Sequence, residues 1–451
     1  MRKFVAWIAA TGVTGACWYA AVPAQPMNSA ERLDRREQPA DDYVGPVFKP
    51  SYAFPTALVN EPRPWEAIDF KAQPDRYMMA VLAYVLEGQD TARWDVAANS
   101  VRVWYHMPWM GPGGAGREYI SGLTSERRSR KQELGPNQLK CRQNWAVGFY
   151  NPVGGYTLGK VWGRVAAGTS NEPDLSALPF RRGTVVAKTL YTQATADEVP
   201  LLAGAPTIQA HIVKDDAPDD DLCPGDTTPI GQPAAREEQA LRLLQLDIAV
   251  RDPRATVTGW VFGTFVYDGR LPGPNPWQKL RPVGLMWGND PGLTDAAAAA
   301  GSKPSEGVFL SDFGIGRHFG RGGRVNGPVD NPTSSCLSCH ATAQSPVTSG
   351  MAPSAGMPWA VAKCWFRNLP ATQAFGAAPS ATSCGQTSAD QRSLDYSLQL
   401  AVGVRNVALA QAAAADRGKL LGAKVVDPEK PVIIKGVRSL PVSRDEAVFD
   451  K

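Results

Sequence analysis

The 451-residue chain reads as mainly β with minor α, an antiparallel sheet or sandwich of about seven strands followed by a C-x-x-C-H segment. Three observations predict this. Leu244, Leu246, Ile248 and Val250 alternate strictly with Gln245, Asp247 and Arg251, the period of a half-buried strand. Residues 260–267 are β-branched and aromatic, and Asp252-Pro253-Arg254 supplies a turn between the two runs. The other short apolar runs between residues 95 and 290 are separated by Gly- and Pro-bearing breaks.

Residues 25–74 are rich in Pro and polar side chains with little periodicity, which predicts a tether or a strap across the surface. The main β domain is expected over 75–300. It begins with an almost continuously apolar run at 77–86, a short buried helix with Asp75 as N-cap and Gly88 as stop. Val101, Val103 and Tyr105 alternate with Arg102, Trp104 and His106, predicting a strand that ends at Pro108. Further strands are predicted at 143–150, 157–162 and 184–191. The clearest pair is an antiparallel hairpin of 241–251 with 258–268, and 283–287 adds another strand. Asp295 and five alanines then form a short helix or a flexible spacer.

A third segment spans 301–393. Residues 311–328 are Gly-rich, and Gly314-x-Gly316 there follows no strand of a βαβ unit, so a dinucleotide fingerprint is excluded. Residues 341–393 are dominated by Ala, Ser, Pro, Gly and Thr and predict an irregular wrap. In 394–451, Leu394, Tyr396, Leu398, Leu400, Val402 and Val404 alternate and predict a strand. An Ala-rich helix at 407–416 and a last short strand at 431–436 follow, packed on the main domain.

The chemistry is concentrated in Cys336-Leu337-Ser338-Cys339-His340, which has the spacing of a c-type haem attachment site. The two thiols add to the haem vinyl groups and His340 binds the iron from one face. A zinc site would need two more ligands at short spacing, and none lies nearby. A thioredoxin-like redox pair would open a helix after a strand, whereas 331–335 reads as a loop. One covalent haem c is therefore expected, and the predicted fold class is a mainly β sheet or sandwich followed by a haem-binding segment.

Residues 1–24 read as a secretory signal peptide. Arg2 and Lys3 precede an uncharged apolar run at 4–22, and Val22-Pro23-Ala24 offers small residues for cleavage. The run is interrupted by Thr11, Gly12, Thr14 and Gly15, which makes it a weak membrane span. An alternative start at Cys17, after Thr14-Gly15-Ala16, resembles a bacterial lipoprotein signal, and membrane anchoring is expected only if Cys17 is lipidated. Either export route leads to the periplasm, where covalent haem is attached.

Cysteine arithmetic agrees with that compartment. Of seven cysteines, the leader removes Cys17 and the haem takes two, leaving Cys141, Cys223, Cys364 and Cys384 as an even set. Three pairings are open. The nearest-neighbour choice is Cys141–Cys223 with Cys364–Cys384, worth at most about 4–5 and 3 kcal/mol in loop entropy.

The formal net charge is +4, of which the leader carries Arg2 and Lys3. No clustered basic face points to nucleic acid. The run Arg127-Arg128-Ser129-Arg130-Lys131, flanked by Glu126 and Glu133, predicts a solvated turn. The acidic run at 215–221 is broken by Pro218 and lacks the Gly and distal Glu of a calcium loop, so it reads as an exposed connection.

The sixth iron position decides what the haem can do. Met351 and Met357 are the nearest downstream thioethers and the metal-ligand candidates beside His340. Arg317, Arg321 and Arg324, in a Gly-rich loop with His318, are candidates to pair with the haem propionates. His106, in the aromatic run Trp104-Tyr105-His106-Met107-Pro108-Trp109, is a candidate lining of a distal pocket, or a structural histidine. His211 carries no special role.

The order of elements resembles one family. The strand begun by Gly183-Thr184-Val185-Val186-Ala187-Lys188, the later strand from Trp260 to Gly269 and the late C-x-x-C-H look like cytochrome P460 and its relatives, β-sheet haem proteins. The resemblance covers about residues 145–345, and this chain is longer, with about 66 residues between the Trp260 strand and Cys336. It implies an open iron, oxidation of a small nitrogen compound or gas binding, and a strand lysine cross-linked to the haem edge, for which Lys188 and Lys160 are the candidates. Two functions follow. One is a periplasmic monohaem electron carrier with a redox partner protein; the other is an open-site haem enzyme or ligand sensor.

Overall fold

The computed structural model describes residues 32–33, 43–89, 96–110, 120–214, 223, 235–311, 319–380 and 382–422. The leader with Cys17, the acidic run at 215–221 and the expected strand at 431–436 lie outside them. Among the described residues, no helix is long and apolar enough to cross a membrane.

The architecture is mainly β with minor α, built on one eight-stranded antiparallel sheet. Its strands are β1 (Thr124–Ser125), β2 (Asn144–Tyr150), β3 (Val185–Thr192), β4 (Thr207–Val213), β5 (Arg236–Arg251), β6 (Trp260–Tyr267), β7 (Leu280–Met286) and β8 (Gly307–Phe309). The order is β1-β2-β3-β5-β6-β7-β8, with β4 on the far end of β5. At 16 residues, β5 is long enough to pair with β3 through one half and β4 through the other. The expected hairpin is present, with Arg251 opposite Trp260 and Gln245 opposite Val266.

Both faces of the sheet are covered, so alternation along a strand does not separate core from solvent. On one face, Val147, Phe149, Ala187, Leu246, Ile248 and Phe265 pack against α1 (Pro74–Leu86). On the other, Tyr150, Phe262 and Met286 meet α2 (Pro152–Ala166), α4 (Cys336–His340) and α6 (Leu398–Gly422). Two shorter helices, α3 (Asp295–Ala299) and α5 (Trp359–Ala362), complete the helical part. A two-stranded ribbon pairs β9 (Gln344–Ser345) with β10 (Arg392–Ser393).

Four local expectations are corrected. Residues 101–105 form no strand beyond a bridge from Tyr105 to Tyr150. There the valines point outward, at 54% and 52% exposure, while Arg102 and Trp104 are buried. Arg102 is drawn in by Glu61 and Glu87 and lies 4.0 Å from the Tyr84 ring centroid. Residues 157–162 belong to α2, whose Asn151 N-cap accepts from the Gly154 amide and whose first residue is Pro152. Leu158, Val161, Trp162 and Val165 are the buried stripe of that helix.

Residues 398–404 are the first turns of α6 rather than a strand, with Ser397 capping the Leu400 amide at 3.2 Å. Their alternation overlaps the helical stripe of Leu400, Ala401, Val404 and Val407. The fourth correction is the basic run, since Arg127 and Arg128 are buried. Arg127 pairs with Glu133 at 2.7 Å and donates to the carbonyls of Val329 and Asp330, which ties β1 to the loop before α4. A smaller shift concerns α1. Its N-cap is Gln73, Pro74 occupies the first turn, and Asp75 falls inside the helix.

The four cysteines outside the C-x-x-C-H join as Cys141–Cys223 and Cys364–Cys384, with Cα–Cα distances of 5.6 and 4.9 Å. The second bond staples the irregular segment between β9 and β10.

Candidate functional site

The helix α4 is only five residues long, too short to be stable alone, and its surroundings hold it. Ser335 and Ser338 form a reciprocal capping box at its start. Ser335 Oγ also reaches Asn289 Oδ1 at 3.2 Å, and the Cys336 amide donates to Val325 O. Leu337 is fully buried and anchors the turn to the sheet.

Arg324 fixes the loop from below. Its guanidinium donates to the carbonyls of Asn289, Asp290 and Leu293 at 2.7–2.8 Å and of Arg321 at 2.9 Å, over the Phe366 ring. Arg321 pairs with Asp295 and donates to Met357 O at 2.6 Å. The two described arginines of the candidate propionate set thus direct donors to protein acceptors. Arg317 and His318 lie outside the described residues.

His340 is oriented by one hydrogen bond and one ring contact. Its Nδ1 lies 2.8 Å from Tyr396 O, and a carbonyl oxygen can only accept, so Nδ1 carries the proton. Burial lowers the imidazole pKa to about 4, against the opposing hydrogen bond to Tyr396, so the ring is neutral and Nε2 keeps its lone pair. The Phe262 ring packs 4.6 Å from the imidazole, centroid to centroid. Neither disulfide uses Cys336 or Cys339. Two thiols one turn apart and a neutral imidazole with Nε2 available are the donor set a covalently held haem c requires, and the residues fit that group.

Beside α4 the sheet carries a row of polar groups. Lys188, Asp247 and Thr264 stand opposite one another on β3, β5 and β6, two residues from Phe262 and on its face. Lys188 Nζ meets Glu126 Oε1 at 3.0 Å. Burial opposes its charge, but Glu126, Asp247 and Asp330 outweigh that and raise its pKa. Asp247 accepts from Thr264 Oγ1 at 2.6 Å and from Gln245 Nε2 at 2.8 Å. Burial and then the nearby Asp330 charge push its carboxyl up to about 7. Asp330 and Asp247 in turn act on the Cys336 thiol, whose pKa is raised first by burial.

The remaining sequence candidates separate. Met357 packs against the apolar cluster that contains Leu337, whereas Met351 is half-buried and outside that cluster. Trp104 belongs to the core on the opposite face of the sheet, so it does not meet His340. His106 accepts from the Ser51 amide at 2.9 Å and packs on Phe48, which makes it a strut for the N-terminal strap. Lys160 is exposed on α2, 5.3 Å from the Tyr156 ring, so of the two lysines it is Lys188 that stands beside α4. His211 contacts Glu238 on the outer hairpin.

Asp247, Asp330, Gln245, Glu126, Asp395 and Tyr396 were missed as site residues. No local signal marked them: Gln245 and Asp247 alternate with Leu244, Leu246 and Ile248 and read as the exposed face of a half-buried strand.

Comparison with known proteins finds no matching family model, no matching curated protein and no matching solved structure. The functional reading therefore rests on the chain's own residues.

Proposed function

We propose that the protein is a monohaem c-type cytochrome acting in electron transfer in the periplasm, exported by its leader and serving a redox partner protein. The single observation that carries this reading is the 2.8 Å contact from His340 Nδ1 to Tyr396 O, within a C-x-x-C-H turn whose cysteines both disulfides leave out. It holds the imidazole in the tautomer an iron ligand needs. When bound, the haem would supply a one-electron couple. The chain's part is to hold the ring by Tyr396, to seat the turn by Leu337 and Ser335, and to wall one side with Phe262.

A second reading is favoured by a different observation. The polar row Lys188, Asp247 and Thr264 beside α4 offers proton-carrying groups to an open-site haem enzyme or gas-binding protein of the kind that cytochrome P460 represents. Carbon monoxide separates the two. In the electron carrier, Met351 or Met357 would supply the second protein ligand to the iron, and the reduced protein would resist carbon monoxide until that Met is replaced by Ala. Rapid stoichiometric binding to the reduced wild type moves the function to the second reading.

A further inference from the structure

Asp395 and Tyr396 both have left-handed backbones, with φ of 49° and 63°. Asp tolerates that region, but Tyr rarely adopts it, so the surroundings must impose it. The side chains of Asp395, Tyr396 and Ser397 all do so, Asp395 with the most contacts. The Asp395 carboxylate is fully buried and accepts from the Phe180 amide at 2.6 Å and from Trp260 Nε1 at 2.7 Å, with Arg251 Nε 3.8 Å away. It thereby pins the turn before α6 to the loop preceding β3 and to the first residue of β6. Tyr396 OH donates to Leu369 O at 2.7 Å, and Ser397 Oγ contacts Tyr150 OH at 2.8 Å. With the turn locked, the carbonyl of Tyr396 faces His340.

We infer that Asp395 is a positioning residue for His340, acting through the strained turn it locks and the Tyr396 carbonyl that the turn presents. The inference rests on the cytochrome reading for its consequence at a haem, but the geometry concerns the chain alone. The Asp395→Asn change keeps the shape but sets an amide N–H against donors, so one of the two short contacts is lost. The carbonyl then moves, the His340 Nδ1–H loses its acceptor and the ring loses part of its basicity; in haem-free protein its tautomer is no longer fixed either.

The experiment uses the mature protein with isotope-labelled histidine, of which the chain has four. NMR reads the His340 tautomer and the exchange of its Nδ1–H, and haem content and reduction potential are measured on the same samples. In the wild type His340 is a single Nδ1–H tautomer. In Asp395→Asn the ring N–H exchanges at least roughly tenfold faster, and the potential of any attached haem moves upward. Trp260→Phe, which removes one donor and leaves the carboxylate, shifts both in the same direction by less. Tyr77→Phe, on the opposite face of the sheet, alters stability and leaves the His340 signal unchanged.

An unaltered His340 signal in Asp395→Asn, or in Trp260→Phe where the first variant fails to fold, overturns the inference. An equal shift in Tyr77→Phe also overturns it, because general loosening then explains the effect. A wild type without covalent haem defeats the proposed function instead, while the tautomer comparison still judges Asp395.

Discussion

His340 and Tyr396 are 56 residues apart in sequence and 2.8 Å apart in space, and the tautomer of the first is set by the second. Asp247 belongs to the same residue-level chemistry. Its carboxyl is pushed up to about 7, first by burial and then by Asp330. An acid with a higher pKa folded than unfolded contributes stability that is complete below about pH 4 and is lost as pH rises through its folded value. Asp247→Asn removes that loss. Measured by denaturant unfolding, the variant should therefore gain on the wild type between pH 5 and pH 8, and parallel stability curves would contradict this. The C-x-x-C-H spacing of Cys336, Cys339 and His340 is local and stands in the sequence itself. Asp247 and Asp395 were not, since nothing local marks a carboxylate whose partners lie on other strands. Gln245 and Asp247 sit on what reads as the polar face of an amphipathic strand, and it is the 327–330 loop, which meets Gln245, that covers that face, leaving Gln245 buried and Asp247 half-buried.

Arg324 carries the element that bears the C-x-x-C-H sequence. Its donors end on four main-chain carbonyls, three of them between β7 and α3, and its side chain is 1% exposed. Arg324→Met leaves those buried carbonyls without a partner and should cost about 3–5 kcal/mol in denaturant unfolding. A loss under about 1 kcal/mol would mean the carbonyls find other donors. Reducing the Cys141–Cys223 bond, which spans 82 residues, should cost about 2–4 kcal/mol, read as the difference in unfolding midpoint between Cys141→Ser/Cys223→Ser and wild type. The hairpin of β5 and β6 was legible from alternation and a turn, because both signals are local. The strand expected at 157–162 was a helix for a reason also present locally, the Asn151-Pro152 start. The strand expected from Leu394 to Val404 failed differently. Asp395 and Tyr396 break the chain direction with left-handed backbones that distant partners stabilise, and no pattern in the segment encodes that.

The described residues are built on one eight-stranded sheet with α1 on one side and the C-x-x-C-H segment with α2 and α6 on the other. That arrangement explains why its parts come from distant sequence. The turn at Cys336–His340 is seated on β6 through Phe262, and its histidine is held by the turn that opens the last described helix. The class of fold was legible from strand periods alone, but not the second covering layer, since helices packed on both faces erase the polar side on which alternation depends. The proposed function requires that Cys336 and Cys339 hold one haem covalently. Intact-mass measurement of the denatured, acid-acetone-washed mature protein tests it directly, with Cys336→Ser/Cys339→Ser beside it. One haem retained by the wild type and none by the double variant is the predicted result. Haem washed out of the wild type, or retained by the double variant, would contradict it.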